Sequence, residues 1–312
     1  KVFADSGLDG RLAALVAHLD PADPAGVAET GAAVRALVLG LELPGWLRGE
    51  LDAGYAELCR RCGEDEVPVA VRSSATCEDQ PDASFAGEHD TYLWVHGADE
   101  VAEHVLRCWS SLYTDRALCY RRQMDYPEDG VAMSVGVQQM VLPRAAGVAF
   151  TLNPLDGDRS QVAIDASWGL GESVVSGSVT PDNFLVDKVL GAVTRRTISP
   201  KTVEHRLGAD NHVHEFAVEP DRREVPCLTD DEICAVAKLA RRAEKHYGCP
   251  QDVEWAIDPQ LPAGENVVLL QSRPETVWSR KVRTASPHSG DTFHSIVDTL
   301  LDARRGRTAP HG

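Results

Sequence analysis

Apolar and polar positions follow two different periods along this chain. The first sixty residues carry apolar side chains at the spacing of a helix face, the clearest set being Leu12, Leu15, Val16 and Leu19. A Pro/Gly break follows, and a second helical run extends from 34 to 43. From Val67 the period becomes that of a strand, and a further helix is predicted over 101–123. The pattern therefore predicts a helical start followed by a change to strands.

Strand-type runs dominate the second half of the chain. We predict strands over the ranges 133–141, 146–152, 161–167, 252–257 and 266–272. The segment FLVDKVLGAVTRRTIS, residues 184–199, has the pattern of a hairpin with Gly191 at its turn. Such a hairpin is typical of an edge element beside a cleft.

One helix interrupts these strands, and the sequence marks both of its ends. Thr229 and Glu232 make a capping box, in which each side chain bonds the main-chain amide of the other residue. The apolar stripe that follows consists of Ile233, Val236, Ala240, Ala243 and Tyr247. Gly248 and Pro250 then stop the helix.

The residue totals exclude several classes of protein. The formal net charge is −17, so the chain lacks the basic face of a general nucleic-acid binder. No run approaches the ~18 apolar residues of a membrane helix, and no segment has the pattern of a secretory signal. We therefore expect a soluble, cytoplasmic protein whose eight cysteines are free thiols. Cys59 and Cys62 form a CxxC, for which a place on a helix surface is a better interpretation than a zinc site, because no second pair is near.

Residues 69–87, VAVRSSATCEDQPDASFAG, join a strand to small and hydroxylated residues. Arg72 is predicted to end the strand, and SSAT with Gly87 downstream would supply main-chain amides that a ligand approaches closely. Hydroxyls, amides and a forked guanidinium suit the oxygens of a polyphosphate. The plainer alternative is a solvated turn in which Arg72 pairs with a surface acid.

Two later strands carry oxygen ligands among apolar neighbours. Glu254 lies in DVEWAID and Gln271 in VVLLQSRPET. Nucleotide-bound magnesium takes one or two protein oxygens, and paired strands would present both side chains to the same ion. Arg273 would emerge on the face of Gln271 and reach a phosphate. The alternative is an ordinary sheet edge with polar surface residues.

Four segments in order resemble the amino-terminal nucleotide-binding domain of phosphoenolpyruvate synthase, pyruvate phosphate dikinase, rifampicin phosphotransferase and the split phenylphosphate synthases. They are VAVRSSATCEDQPDASFAGEHDTYL, VQQMVLPRAAGVAFTLNPLDGDRSQ, ASWGLGESVVSGSVTPDNFLVDK and DVEWAID with VVLLQSRPETVW. The resemblance implies an α+β fold of the ATP-grasp type, with ATP in a cleft between two lobes. The first lobe would span 1–140 and the second 141–279, with a tail over 280–312.

The same resemblance implies a set of ATP-binding residues, namely Arg72, Thr91, Gln138, Met140, Glu254, Gln271 and Arg273. The two arginines would contact the transferring phosphates as catalytic groups, and the threonine would line their pocket. Gln138 and the main chain near Met140 would meet adenine. Glu254 and Gln271 would hold Mg²⁺. Glu172, in WGLGE, is expected near the cleft without an assigned role.

Two features of the family are missing from the sequence. Relatives start with a glycine-rich segment ending in lysine, and no Gly-Gly-Lys occurs here. Either the chain is trimmed before Lys1, or the site works without that charge. None of the eleven histidines lies in the Thr-Ser-His motif of a phosphohistidine domain, and His288 in SPHSG is expected to be a solvated residue.

Two functions of different classes follow. The first is the ATP-binding component of a dikinase-type phosphotransferase, which cleaves ATP to AMP and phosphate and phosphorylates a histidine on a separate domain or partner subunit. The onward acceptor would be a hydroxyl, with a phenol preferred to pyruvate or an antibiotic. The second is a non-catalytic ATP-binding module that regulates or scaffolds a partner. The tail, with an apolar helical face over 293–301, would cover the protein's own core or dock on a partner.

Overall fold

Four helices form the amino-terminal part of the protein, and strands interrupted by four further helices follow within the described residues, in agreement with the change of period. The computed structural model describes residues 1–76, 79–80, 83–84, 91–123, 131–210 and 212–278. The helices are α1 (Val2–Asp5), α2 (Leu8–Val16), α3 (Pro24–Leu39), α4 (Gly45–Cys62), α5 (Gly97–Ser111), α6 (Asp115–Gln123), α7 (Glu172–Val175) and α8 (Asp230–Tyr247). The strands are β1 (Val69–Ala75), β2 (Asp79–Gln80), β3 (Ala83–Ser84), β4 (Thr91–Val95), β5 (Met133–Gln139), β6 (Ala145–Phe150), β7 (Gln161–Trp168), β8 (Asp182–Asp187), β9 (Val193–Thr197), β10 (Val203–Leu207), β11 (Val213–Ala217), β12 (Gln251–Ile257) and β13 (Val267–Pro274). This mixture confirms the α+β class.

The amino-terminal helices bury one stripe of α2, but not all of the predicted one. Leu12, Val16 and Leu19 pack in a core with α3 and α6, whereas Leu15 is 40% exposed, so its place on the buried face was wrong. The stripe runs through Leu8, Leu12 and Val16 at four-residue intervals, and Leu15 lies to one side of it.

The helix predicted over 101–123 is two helices, so its continuity was wrong. α5 ends at Ser111, and Thr114 begins the next helix because its side-chain oxygen accepts a hydrogen bond from the Ala117 amide at 3.2 Å. A threonine at this position caps the free amides of a first turn.

A three-stranded antiparallel sheet, in the order β4-β1-β5, packs against α4 and α5. The sequence analysis predicted that β1 ends at Arg72, and this was wrong, because the strand continues to Ala75. The reason is β5, which pairs with β1 from Val69↔Gln139 to Ala75↔Met133. Cys59 is also a correction: it is buried in this core rather than on the surface of α4, while Cys62 packs at the core's edge.

A six-stranded antiparallel sheet, in the order β13-β12-β6-β7-β8-β9, forms the carboxyl-terminal part. The predicted strands and the β8–β9 hairpin with its turn at Gly191 (φ 66°) are confirmed. A second hairpin, β10–β11, was not predicted. Its strands alternate polar residues with few apolar ones, which makes a weak strand pattern.

α8 covers one face of the six-stranded sheet, and its capping box and its end at Gly248 are confirmed. Ile233, Val236, Ala240 and Ala243 of the predicted stripe are buried. Tyr247 is 57% exposed, which contradicts its place in the stripe, because the helix ends at this residue. The opposite face of the sheet contacts α7 and, at β6 and β12, lines a cavity shared with β1 and β4.

The chain divides into two units, Lys1–Glu275 and Thr276–Gly312. Only residues 276–278 of the second unit are described, so the predicted tail helix and His288 lie outside the described residues. Gly87 of the predicted phosphate loop does so as well.

Candidate functional site

A cavity of about 370 Å³ lies between the three-stranded sheet and the face of the six-stranded sheet opposite α8. Every residue of the predicted ATP-binding set lines it: Arg72, Thr91, Gln138, Met140, Glu254, Gln271 and Arg273. Glu172, which the sequence placed near a cleft without a role, lines it too. The chain thus brings together side chains that are up to 201 positions apart, from Arg72 to Arg273.

Strand pairing positions the amino-terminal wall of the cavity. On β1, Arg72 lies directly opposite Thr91 of β4, and Ala70 lies opposite Gln138 of β5. Cross-strand partners of this kind have their Cβ atoms about 5 Å apart. The chain then leaves β5 with the Met140 amide bonded to the Pro68 carbonyl at 2.8 Å, which fixes the main chain at the cavity wall.

A bulge in β4 sets which of its side chains enter the cavity. Between the pairs Val69↔Val95 and Val71↔Tyr92, two residues of β4 face one residue of β1. Trp94, one of the two, has φ 59°. The shift sends Tyr92 and Val95, three positions apart, to the core with α4 and α5, and leaves Leu93 in the cavity wall.

A second bulge positions the carboxyl-terminal wall. Glu254↔Gln271 and Trp255↔Leu269 are paired, so Leu270 is an extra residue in β13. Val267 packs on the core under α8, and without the extra residue Gln271, four positions later, would face that core as well. The bulge turns Gln271 to the cavity, opposite Glu254, and Arg273 follows it.

Arg72 makes the bonds that join the two walls. Its Nη2 donates to Glu254 Oε2 at 2.9 Å and to Gln271 Oε1 at 2.6 Å, and its Nη1 donates to the Leu270 carbonyl at 3.1 Å. The Arg72 side chain is 21% exposed and that of Glu254 28%. A charge-assisted bond with this degree of burial is stronger than a surface ion pair.

Arg273 has a carboxylate as its cross-strand partner. It lies opposite Asp252 of β12, whose Oδ1 is buried and has no hydrogen-bond partner among the described residues. Burial, and next the charge of Glu275, raise the pKa of Asp252 to about 6 against the opposing charge of Arg273. Sequence reasoning missed Asp252, although its spacing of two from Glu254 in DVEWAID places it on the same face.

The segment from Leu170 to Glu172 forms another side of the cavity and contacts the β10–β11 hairpin. The Leu170 amide donates to the His205 carbonyl at 2.8 Å. The Glu172 carboxylate lies 4.0 Å from His205 Nδ1, and His205 Nε2 lies 3.6 Å from Glu215. The hairpin therefore holds the segment WGLGE through contacts of His205 with Leu170 and Glu172.

Comparison with known proteins gives a match over almost the whole chain. The family described as "Pyruvate phosphate dikinase, AMP/ATP-binding domain" matches residues 1–292. The chain belongs to this family. The match confirms the predicted family and the prediction that the chain is an ATP-binding domain.

Curated relatives agree with this family. The chain is similar to a probable phosphoenolpyruvate synthase of Staphylothermus marinus, at 41% identity over 98% of the chain and 40% of the relative. It is similar to phosphoenolpyruvate synthase of Pyrococcus furiosus, at 42% identity over 92% of the chain and 35% of the relative. It is also similar to rifampicin phosphotransferase of a Streptomyces species, at 40% identity over 88% of the chain and 30% of the relative.

The chain spans well under half of the length of these relatives. It corresponds to the ATP-binding part of phosphotransferase enzymes, as the sequence predicted. No helix in the described part of the chain is long and apolar enough to cross a membrane.

The donors at the cavity fit the magnesium ion that the sequence analysis expects. Glu254 and Gln271 offer a carboxylate and an amide oxygen from directly opposed positions, and one guanidinium contacts both oxygens. Two hard oxygens that converge on one positive group are what a nucleotide-bound Mg²⁺ needs from a protein, since phosphate and water supply its other ligands.

Sequence reasoning also missed the apolar residues of the cavity. They include Leu93, Val141, Leu170, Val175 and Leu270. Each of them is apolar, as the core residues of the protein are. The bulges in β4 and β13 decide which side Leu93 and Leu270 face, and the other three lie outside the strands, so nothing in the local pattern marks any of them.

Proposed function

We propose that this chain is the ATP-binding component of a dikinase-type phosphotransferase and that it binds Mg²⁺-ATP in the cavity between its two sheets. The observation that carries the proposal is the convergence of all seven predicted residues on one cavity. The ATP-grasp label, and the division into lobes at 1–140 and 141–279, belong to the same proposal.

The chemistry of the walls orients the nucleotide. Gln138, the main chain at Met140 and the apolar side chains of Leu93 and Leu170 offer an amide, backbone polar groups and a flat apolar surface, which suit adenine. The triphosphate then extends toward the arginines, and Thr91 lies opposite Arg72 at that end.

The two arginines and the two oxygen ligands act on the phosphates. Arg72 and Arg273 bind the phosphoryl oxygens and oppose the charge that develops during transfer, which is the main means of catalysis in phosphoryl transfer. Glu254 and Gln271 would hold Mg²⁺, which when bound would supply positive charge against the phosphates.

The phosphoryl group passes to a histidine outside the sequence of this chain. In this reaction ATP, water and that histidine give AMP, phosphate and phosphohistidine, and the two phosphoanhydride bonds of ATP are broken. The phosphohistidine then transfers its phosphoryl group to an oxygen acceptor, which restores the free histidine. The absence of Thr-Ser-His from the sequence supports an acceptor histidine on another domain or a partner subunit. The names of the relatives favour pyruvate or an antibiotic hydroxyl over the phenol that the sequence analysis prefers.

The test combines this chain with the domain or subunit that bears the Thr-Ser-His motif, ATP and Mg²⁺, and measures AMP and phosphohistidine. Arg72→Ala and Glu254→Gln should each lower phosphohistidine formation by about 100-fold or more, as expected when a transition-state clamp or a metal ligand is lost. Arg195→Ala, which removes the same charge from an exposed position on β9, should leave the rate near that of wild type.

Near-normal turnover of Arg72→Ala or Glu254→Gln would place the reaction elsewhere. ATP binding by the wild type without AMP formation, in the presence of that partner, would support the non-catalytic module instead.

A further inference from the structure

Three oxygens from β12 and β13 are bound by a single guanidinium of β1. Arg72 donates hydrogen bonds to the Glu254 carboxylate, the Gln271 amide oxygen and the Leu270 carbonyl. Two of these oxygens are the ligands assigned to the divalent cation. The cation and the Arg72 guanidinium would therefore bind the same two oxygens.

Both cannot hold these ligands in the arrangement that the structure shows. Gln271 offers one oxygen, and Arg72 Nη2 lies 2.6 Å from it. A divalent cation on that oxygen would lie within about 5 Å of the guanidinium, in a site where water screens the repulsion poorly. Entry of the cation thus requires that Arg72 leaves.

We propose that in the nucleotide-free protein Arg72 fills the place of the divalent cation and latches β1 to β12 and β13, so that the cation enters only together with the nucleotide. This inference rests on the proposed function of the cavity. The triphosphate supplies new anionic oxygens for Arg72, and the guanidinium exchanges a carboxylate for a phosphate. Glu254 and Gln271 are then released for the cation that the nucleotide brings.

The latch predicts opposite effects of one substitution on two ligands. Removing the guanidinium frees the cation site, so Arg72→Gln should bind Mn²⁺ alone more tightly than wild type. The same variant should bind a non-hydrolysable ATP analogue more weakly, because it loses a phosphate donor. If Arg72 contacted only the phosphates, its loss would weaken binding of the analogue and leave the affinity for Mn²⁺ alone unchanged.

The test measures binding of Mn²⁺ alone, by electron paramagnetic resonance, to the wild type, Arg72→Gln, Arg273→Gln and the double variant Arg72→Gln with Glu254→Gln. Within the described residues Arg273 has no hydrogen bond to Glu254 or Gln271, so Arg273→Gln is a control for the loss of one charge from the same cavity. Arg72→Gln should raise the Mn²⁺ affinity about tenfold, as one charged hydrogen-bonded contact is lost. Arg273→Gln should raise it about threefold or less, and the double variant should lose the gain.

An Mn²⁺ affinity of Arg72→Gln that equals that of wild type, or only that of Arg273→Gln, overturns the latch, and so does the absence of detectable Mn²⁺ binding in Arg72→Gln. A measurement on the unaltered protein adds a check that depends on no variant. Wild type that binds Mn²⁺ at the Glu254 site as tightly without nucleotide as with the analogue also overturns it. Failure of the proposed function shows itself differently: wild type then binds no ATP analogue at this cavity, whatever the cation does.

Discussion

Trp94 adopts a backbone conformation that is rare for a residue of its size. Its φ of 59° lies in the left-handed region, where a Cβ crowds the following carbonyl. The side chain is 9% exposed, so the indole is packed inside the protein while its backbone is strained. A residue in such a conformation raises the free energy of the folded protein by about 1–3 kcal/mol. The strain at Trp94 accompanies the bulge that leaves Leu93 in the cavity wall.

Two substitutions separate this strain from the packing of the indole. Trp94→Gly and Trp94→Ala both lose the ring, but glycine tolerates a positive φ and alanine does not. In an ordinary strand the alanine variant is the more stable of the two by ~0.5–1 kcal/mol. At this position we expect the glycine variant to be more stable by about 1 kcal/mol in urea unfolding. An alanine variant as stable as the glycine variant would show that the bulge is not strained.

At the scale of the elements, sequence patterns predict most of the helices and strands, although not the β10–β11 hairpin, and they do not predict which faces the residues at the site take. The capping box of α8 and the hairpin at Gly191 depend on neighbours in sequence, and both are confirmed. The bulges at Trp94 and Leu270 depend on pairing with distant strands. The extension of β1 through Ser73 and Ser74 likewise needs β5, which lies some sixty positions away.

The two proposed metal ligands, Glu254 and Gln271, show the same limit. Alternation in DVEWAID predicts that Glu254 faces away from Trp255. Simple alternation in β13, counted from Val267, would turn Gln271 to the core. The pairing of Glu254 with Gln271 was correctly expected from the chemistry of the two side chains, while the bulge that permits it has no sequence signal that we can identify.

Gly147 of β6 illustrates how closely the strands approach beside the cavity. A Cβ at this position would lie 1.9 Å from the Asp165 carbonyl oxygen of β7. The three nearest atoms are all backbone atoms of Asp165 and Ala166, so nothing flexible can give way. Gly147→Ala should therefore destabilise the protein by about 2 kcal/mol or more, measured as the free energy of unfolding in urea.

Gly171 provides the matched control, because it lines the same cavity. Its backbone is helical (φ −67°, ψ −13°), and an added Cβ would meet Ala146 at 3.6 Å, an ordinary contact. Gly171→Ala should change the free energy of unfolding by about 0.5 kcal/mol or less. Equal stability of the two variants would mean that β6 and β7 are further apart than described.

At the scale of the whole molecule, the chain is one part of a longer architecture in its relatives. It covers 30–40% of the relatives described above and matches the AMP/ATP-binding domain of their family. Its two sheets come from distant parts of the sequence, and Arg72 crosses between them to Glu254 and Gln271. The group proposed to bind phosphate, Arg72, is thus hydrogen-bonded to both groups proposed to bind the metal, so the proposal predicts that they respond to the nucleotide together.

The central claim is that one nucleotide lies across both sheets, with its triphosphate at Arg72 and Arg273 and its cation at Glu254 and Gln271. The most direct test is a crystal structure with a non-hydrolysable ATP analogue and Mn²⁺, in which anomalous scattering locates the metal. The account predicts a single manganese peak within about 2.2 Å of oxygens of both Glu254 and Gln271, with the phosphates against the two guanidinium groups. A triphosphate bound away from these side chains, or a manganese ion bound to neither ligand, would contradict it.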